Sequence, residues 1–202
     1  SSTNDMMRKQ LECNSLWIGT QSKFNQISMS NGAWHLPIPI TERALLEEYT
    51  GAREGILFVG RWEEGKNPEL FIDLIEQTKL PAKVMTSPNG VKKFEERLKK
   101  IGVKYDVRAS IVGQEKVDFI RDSSVFFMPS LRENYPFAFL ECLGHMPCVV
   151  LDTQDWSDNF DSVFYHKVHI SNAADTIKQL YGVGRPSDAL EYVKSLDDRV
   201  AQ

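Results

Sequence analysis

The sequence has few of the residues that build disulfide scaffolds and metal sites. It holds three cysteines, Cys13, Cys142 and Cys148, and four histidines, and none falls at a spacing typical of a metal or redox motif. An odd number of cysteines, two of them in apolar surroundings, indicates reduced thiols and hence a cytoplasmic setting. The composition excludes a disulfide-stapled small domain and predicts no resident metal ion.

Long apolar runs and a strong excess of one charge are also missing. No stretch approaches the roughly 20 residues that a transmembrane helix needs, and we see no signal peptide at the start. The net charge of −4 leaves no electrostatic footprint for general nucleic-acid binding. With 42% hydrophobic residues among 202, the chain is expected to be one globular domain, or one domain plus a piece of another.

Short apolar runs alternate with amphipathic stretches from Gly55 onward. The predicted strands are residues 56–59, 83–86, 105–111, 125–128, 148–151 and 163–170. The predicted helices between and after them are residues 68–78, 91–101, 117–120, 173–181 and 187–196. This alternation predicts an α/β fold with a doubly wound parallel sheet. Further upstream we expect helices at 1–13, 21–29 and 41–49, a strand at 16–19 and an extended segment at 33–39.

Two carboxylates stand where the strand 125–128 passes into the following helix. Glu133 lies in the loop, and Glu141 lies eight positions later, in a helix that Asn134 and Pro136 are expected to start. Ligands of open α/β sheets bind beyond the carboxyl ends of the strands. Carboxylates there accept hydrogen bonds from hydroxyl-rich ligands such as a sugar and a ribose. The simpler alternative is a pair of solvated acids.

Two cations follow the first strand of the α/β unit. Arg61 comes directly after Gly60, and Lys66 stands just before Asn67 and Pro68, a typical pair for a helix start. A forked guanidinium, an ammonium and free helix N–H groups together suit a diphosphate. The alternative is a surface Arg and Lys paired with the glutamates between them. Because both motifs follow strands of one parallel sheet, they are expected at the same edge.

The two motifs, in this order and separation, resemble those of retaining glycosyltransferases of the GT-B fold, most closely glycosyltransferase family 4. The resemblance covers residues 56–152, about half the chain. It rests on G-R-x4-K and on E-x7-E, which is preceded by Pro-Ser and followed by a Pro-led strand. It implies a Rossmann-like domain, the donor-binding C-terminal half of a GT-B architecture. Residues 1–50 would then be a remnant of the acceptor side plus a linker, 51–185 the donor domain and 186–202 a closing helix.

The resemblance also assigns roles. Arg61 and Lys66 would neutralise the diphosphate of a nucleotide-sugar, Glu133 would bind the sugar hydroxyls, and Glu141 the ribose hydroxyls. Arg61, Lys66 and Glu133 are thus the expected catalytic residues. The other donor-binding residues implied by the family are Asn134, Tyr135, Phe137 and Ala138, with Ile111 and Val112 beside the nucleobase. No metal or other cofactor is implied, and no D-x-D motif occurs in a suitable loop.

The sequence departs from the family pattern after Glu141. Glycine comes three positions on and proline six, where the family usually has five and seven, so this turn is one residue shorter. Pro136 stands where the family often has glycine, which removes one amide donor.

The expected activity is metal-independent, retaining transfer of a hexosyl-type sugar to an acceptor. The acceptor-side domain of such an enzyme is expected to be missing from this chain. Alternatives are a non-catalytic nucleotide-sugar binding module, a GT-B sugar-nucleotide epimerase, and an interaction protein with a plain Rossmann-like domain. The base, the sugar, the acceptor and the oligomeric state do not follow from the sequence.

Overall fold

The computed structural model describes residues 18–20, 33–35, 40–133 and 136–198. The chain divides into two compact units, residues 1–39 with 196–202 and residues 40–195. In the first unit, strand β1 (Ile18–Thr20) pairs in parallel with strand β2 (Ala33–His35). The helices expected at 1–13 and 21–29 lie outside the described residues.

Six parallel strands form the sheet of the second unit, in the order β5-β4-β3-β6-β7-β8. They are β3 (Ile56–Val59), β4 (Ala82–Thr86), β5 (Tyr105–Ala109), β6 (Val125–Met128), β7 (Cys148–Leu151) and β8 (His166–Val168). The α/β doubly wound sheet predicted from the alternating pattern is confirmed. Parallel strands are covered on both faces, which explains why β3, β6 and β7 appear in the sequence as unbroken apolar runs.

Helices cover both faces of this sheet. They are α1 (Pro68–Thr78), α2 (Pro88–Ile101), α3 (Gly113–Arg121), α4 (Phe137–Leu143), α5 (Ala173–Leu180) and α6 (Ala189–Asp198). Ile56 and its register partner Val125 belong to the core cluster built with α1, α2 and α5. The next pair, Leu57 and Phe126, is fully buried on the opposite face, because side chains alternate along a strand. Among the described residues, no helix is long and apolar enough to cross a membrane.

The order in which strands are added to the sheet reverses after β5, so that β3 and β6 are neighbours at the topological switch point. It moves outward from β3 through β4 to β5, returns to lay β6 on the other side of β3, and continues through β7 to β8. Such a switch point opens a crevice at the carboxyl ends of its two central strands. The loops after β3 and β6 carry the two sequence motifs, so both motifs border this crevice.

The helix predicted at 41–49 is wrong. The structure has only a 3₁₀ helix, Arg43–Leu46. The carbonyl groups of Ala44 and Glu47 accept hydrogen bonds from Arg121, and the Leu45 carbonyl pairs with Nε2 of His145. Backbone acceptors that an α-helix would use internally are therefore taken by other elements.

The strand predicted at 163–170 is shorter than expected. Only His166–Val168 is a strand, flanked by the 3₁₀ helices Ser162–Phe164 and Ile170–Asn172. Side chains of Asp161 and His169 accept hydrogen bonds from nearby backbone amides, and such local bonds compete with strand pairing. The strand predicted at 105–111 likewise ends early, at Ala109.

Candidate functional site

The loop after β3 is fixed by packing on one side and by the β6 loop on the other. The Trp62 ring packs edge-on against Phe94 of α2, with ring centroids 4.6 Å apart. The Leu131 amide, in the loop after β6, donates to the Gly65 carbonyl at 2.9 Å. Gly60 leaves room for the stem of Lys66, because a Cβ there would lie 3.3 Å from Lys66 Cγ. The two motif loops are therefore joined directly at the switch point.

Lys66 and Glu133 form an ion pair across the crevice. Lys66 Nζ lies 2.5 Å from Glu133 Oε1, and the side chains are only 24% and 9% exposed. A shielded ion pair is screened less than one in open water. An ammonium group carries three donors, so Lys66 can hold Glu133 and still donate to a ligand anion. The sequence placed these residues at one edge, and the structure brings them into contact.

Arg61 lies at the same edge but faces solvent. Its guanidinium pairs with Glu63 at 3.0 Å, and 69% of its side chain is exposed. This is the surface pairing named above as the simpler alternative for the loop. Asn67 occupies the position before α1 in the left-handed conformation, φ 51°, and its side chain makes no capping bond. The expected side-chain cap from Asn67 is therefore wrong.

Glu141 is the second buried carboxylate and has its own lysine. It lies on α4, is 5% exposed, and its Oε1 accepts from Lys116 Nζ at 2.5 Å. Burial raises the pKa of Glu141, while the hydrogen bond and charge of Lys116 act to lower it. Lys116 belongs to α3 and was missed in the sequence. Its position on a helix starting at the carboxyl end of β5 was the only available signal.

The loop predicted to face a nucleobase leads from β5 into α3. Ser110, the residue after β5, has a φ of 51°, and Gly113 starts α3 with a φ of 60°. Val112 is 74% exposed, while Ile111 is partly buried. The Gly113 amide donates to Glu42 Oε1 at 3.1 Å. The loop is thus connected to Glu141 through α3, which carries Lys116.

The remaining predicted donor-binding residues border the start of α4. Asn134 and Tyr135 lie outside the described residues. Pro136 is the residue before the helix, which begins at Phe137. Pro136, which was expected to start this helix, therefore lies one residue before it. Phe137 is 36% exposed at the crevice edge, and Ala138 is partly buried.

Gln154 binds the start of the loop after β6, a role that was not predicted from the sequence. Its side chain is buried, and its Oε1 accepts from the Leu151 amide at 2.9 Å. Its Nε2 donates to the carbonyls of Met128 and Ser130, at 3.0 and 2.5 Å. One amide side chain therefore joins the ends of β6 and β7 and fixes the segment that leads to Glu133.

A groove of about 490 Å³ lies at the opposite, amino edge of the sheet. It is lined by residues preceding β3 and β6 and by the turn between α5 and α6. Its charged groups have internal partners: Arg185 binds Glu48 at 2.6 Å, and Arg53 donates to the Tyr49 carbonyl. The carboxyl edge remains the candidate site, because both motifs meet there. Within the described ranges, no cluster of three or more His, Cys, Asp or Glu side chains could hold a metal ion.

Comparison with known proteins gives a clear match in structure only. No protein-family model matches the sequence, and no curated protein does. Among solved structures, a mutant of S. aureus TarM in complex with fondaparinux, alpha-GlcNAc-glycerol and UDP matches with a TM-score of 0.68 and 13% identity, over 91% of this chain and 40% of that one. AviGT4, a glycosyltransferase involved in avilamycin A biosynthesis, matches with a TM-score of 0.69 and 15% identity, over 91% of this chain and 59% of that one.

A third structure, trehalose-6-phosphate from E. coli bound with UDP-2-fluoro glucose, matches with a TM-score of 0.66 and 12% identity, over 98% of this chain and 60% of that one. The chain thus spans about 40–60% of the length of these three structures. At such low identity the likeness is one of fold. It confirms the predicted Rossmann-like fold of the GT-B type.

Proposed function

We propose that this chain binds the nucleotide-diphosphate sugar donor of a retaining, metal-independent glycosyltransferase. Transfer of a hexosyl-type sugar to an acceptor is proposed for the whole protein, since the chain spans only part of the structures it resembles. The observation that carries the proposal is the contact between Lys66 and Glu133 at the switch point of the sheet. It supports the proposal because an ammonium group, which suits a diphosphate, lies beside a carboxylate that can accept hydrogen bonds from sugar hydroxyls.

The proposed chemistry is stabilisation of a departing diphosphate. Negative charge grows on the nucleotide diphosphate as its bond to the sugar breaks. A cation fixed in advance stabilises that charge more in the transition state than in the ground state. Lys66 is held in place by Glu133, and Arg61 is exposed and would turn from Glu63 toward the diphosphate. Lys66 balances the charge of Glu133, and Lys116 balances the charge of Glu141.

A thermal-shift panel tests the proposal with the full chain. UDP, GDP and ADP, and then UDP-glucose, GDP-mannose and ADP-glucose, are added one at a time. A ligand that binds only the folded protein raises the melting temperature, so at least one diphosphate and its sugar should do so. UDP is the first probe, because two of the matching structures hold a uridine nucleotide. If no member of the panel raised the melting temperature, donor binding would be ruled out.

Substitutions of Glu133 and Glu141 are expected to change ligand affinity in different ways. Glu133→Gln should weaken binding of the nucleotide-sugar about tenfold relative to binding of the diphosphate, because only the sugar donates hydrogen bonds to Glu133. Glu141→Gln should weaken both about tenfold, because both ligands carry the ribose. Each change removes one charge-assisted hydrogen bond, about 1.5–3 kcal/mol. Calorimetry of UDP and UDP-glucose measures both effects, and the opposite pattern would exchange the two roles.

Product analysis separates transfer from the alternatives. A retaining transferase gives a glycoside with the anomeric configuration of the donor. An epimerase converts the nucleotide-sugar with no acceptor, and a binding module gives no product.

A further inference from the structure

Glu141 is a carboxylate in a buried position, where a charge is costly. Its side chain is 6% exposed and lies on a helix that packs against α3, β6 and β7. A buried carboxylate without a partner takes up a proton instead of remaining charged. The ionised form accepts hydrogen bonds only, whereas the protonated form also carries a donor. The protonation state of Glu141 therefore decides which ligand groups it can bind.

The charged groups near Glu141 come from two other segments. Lys116, on the first turns of α3, contacts it at 2.5 Å with its own side chain only 18% exposed. Glu42, just before the 3₁₀ helix Arg43–Leu46, acts on it as a like charge and raises the pKa of Glu141. On α4 itself, the adjacent Cys142 thiol is buried and its pKa is well above the usual value, so it stays neutral. Lys116 is thus the cation that opposes burial and Glu42.

The position of Lys116 is fixed at the start of its helix. Gly113, in a left-handed conformation that favours glycine, begins α3. Its amide is held by Glu42 Oε1 at 3.1 Å. Glu42 in turn precedes a segment that Arg121 and His145 hold through its carbonyl groups. The contact between Gly113 and Glu42 therefore fixes the start of α3, and with it the position of Lys116 beside Glu141.

We propose that Lys116 is a positioning residue that keeps Glu141 ionised and aimed, so that Glu141 accepts from the vicinal hydroxyls of a ligand ribose. The inference rests on the proposed donor binding and extends it, because it makes ribose recognition depend on a residue outside both sequence motifs. Lys116 acts through Glu141 in this proposal and does not itself contact the ribose.

The first test measures Glu141 without any ligand. In protein labelled with ¹³C at the glutamate carboxyl carbons, the Glu141 signal is identified as the one lost in Glu141→Gln. In Lys116→Met that carboxyl should titrate at a pH higher by about one unit or more than in the wild type. Lys116→Arg keeps a cation and should restore the wild-type titration. An unchanged titration in Lys116→Met would overturn the proposal.

The second test measures specificity. UDP and 2′,3′-dideoxy-UDP are titrated by calorimetry at pH values below and above the Glu141 titration that the first test finds in Lys116→Met. On the acidic side, UDP should bind this variant roughly tenfold more weakly than the wild type, and its affinity should recover as pH rises and Glu141 ionises. The dideoxy nucleotide should show no such trend, whereas a merely destabilised protein would lose both ligands together. Lys92→Met, at an 87% exposed lysine of α2, serves as the matched control.

The outcomes separate the two proposals. If the wild type bound UDP, and Lys116→Met kept the same affinity and pH profile, the role of Lys116 would be refuted and donor binding would stand. If the wild type bound none of UDP, GDP and ADP, donor binding would fail, and ribose recognition with it. The carboxyl titration would still report on the Lys116–Glu141 pair alone.

Discussion

Replacing Lys66 with methionine is expected to lower the affinity for UDP-glucose and UDP roughly 100-fold. The change removes a charge-assisted hydrogen bond to the diphosphate, about 1.5–3 kcal/mol. It also leaves Glu133, only 9% exposed, without its cation and free to repel the ligand's phosphates. About 1.4 kcal/mol corresponds to a factor of ten in affinity, so the two effects together reach about two factors of ten. Isothermal titration calorimetry measures the loss.

Matched variants assign this loss to the ion pair. Lys92→Met removes an exposed lysine, 87% exposed and four positions from Glu96, and should leave affinity unchanged. In the double variant Lys66→Met with Glu133→Gln, part of the UDP affinity should return, because the uncompensated charge is gone. Equal affinity of Lys66→Met and the wild type would remove Lys66 from the donor site.

The free energy of unfolding is expected to fall by about 3 kcal/mol between pH 7 and pH 4 because of His145 alone. His145 is 1% exposed. Burial lowers its pKa from 6.5 to about 4; the Leu45 carbonyl opposes this, and Arg121, Arg53 and Arg185 add to it. Between pH 6.5 and about pH 4, the His145 side chain is protonated in the unfolded chain but remains neutral in the folded protein. Stability from His145 is therefore complete above pH 6.5, is lost progressively as pH falls from 6.5 toward about 4, and is gone below that pH.

The variant His145→Gln isolates this effect. A glutamine amide can still donate to the Leu45 carbonyl but does not titrate. Urea unfolding at several pH values from 4 to 7.5 should give a steeper loss of stability for the wild type than for the variant. Burial also lowers the pKa of His166, but His166 is present in both proteins and cancels in the difference. Parallel pH profiles for the two proteins would contradict the prediction.

The sequence predicted the strands and helices best where one local signal dominated. The bounds of β3, β6 and β7 were predicted correctly, because buried parallel strands are continuous apolar runs. Helix α1 was also predicted with its observed bounds, since proline marks its first turn. The segment 41–49 failed because Arg121 and His145 take its carbonyl groups. A nine-residue segment holds no information about hydrogen-bond partners that lie more than seventy positions away in the sequence.

For the candidate site, the sequence likewise predicted the location of the residues but not their contacts. Arg61, Lys66, Glu133 and Glu141 follow strand ends, and parallel strands bring those ends to one edge, so their shared location could be predicted. Their partners could not. Lys66 lies 67 positions from Glu133, and Lys116 lies 25 from Glu141. Gln154 reaches back 24 positions to Ser130.

By itself, the sequence determined a doubly wound parallel sheet and the edge at which two cations and two acids would gather, because strand periodicity and chain order are local properties. Only the tertiary structure decided that Lys66 holds Glu133 while Arg61 faces solvent, and that Glu141 is neutralised by Lys116. The reason is distance: an ion pair forms only between atoms a few ångströms apart. That separation is set by how loops and helices pack, after the strands have been placed.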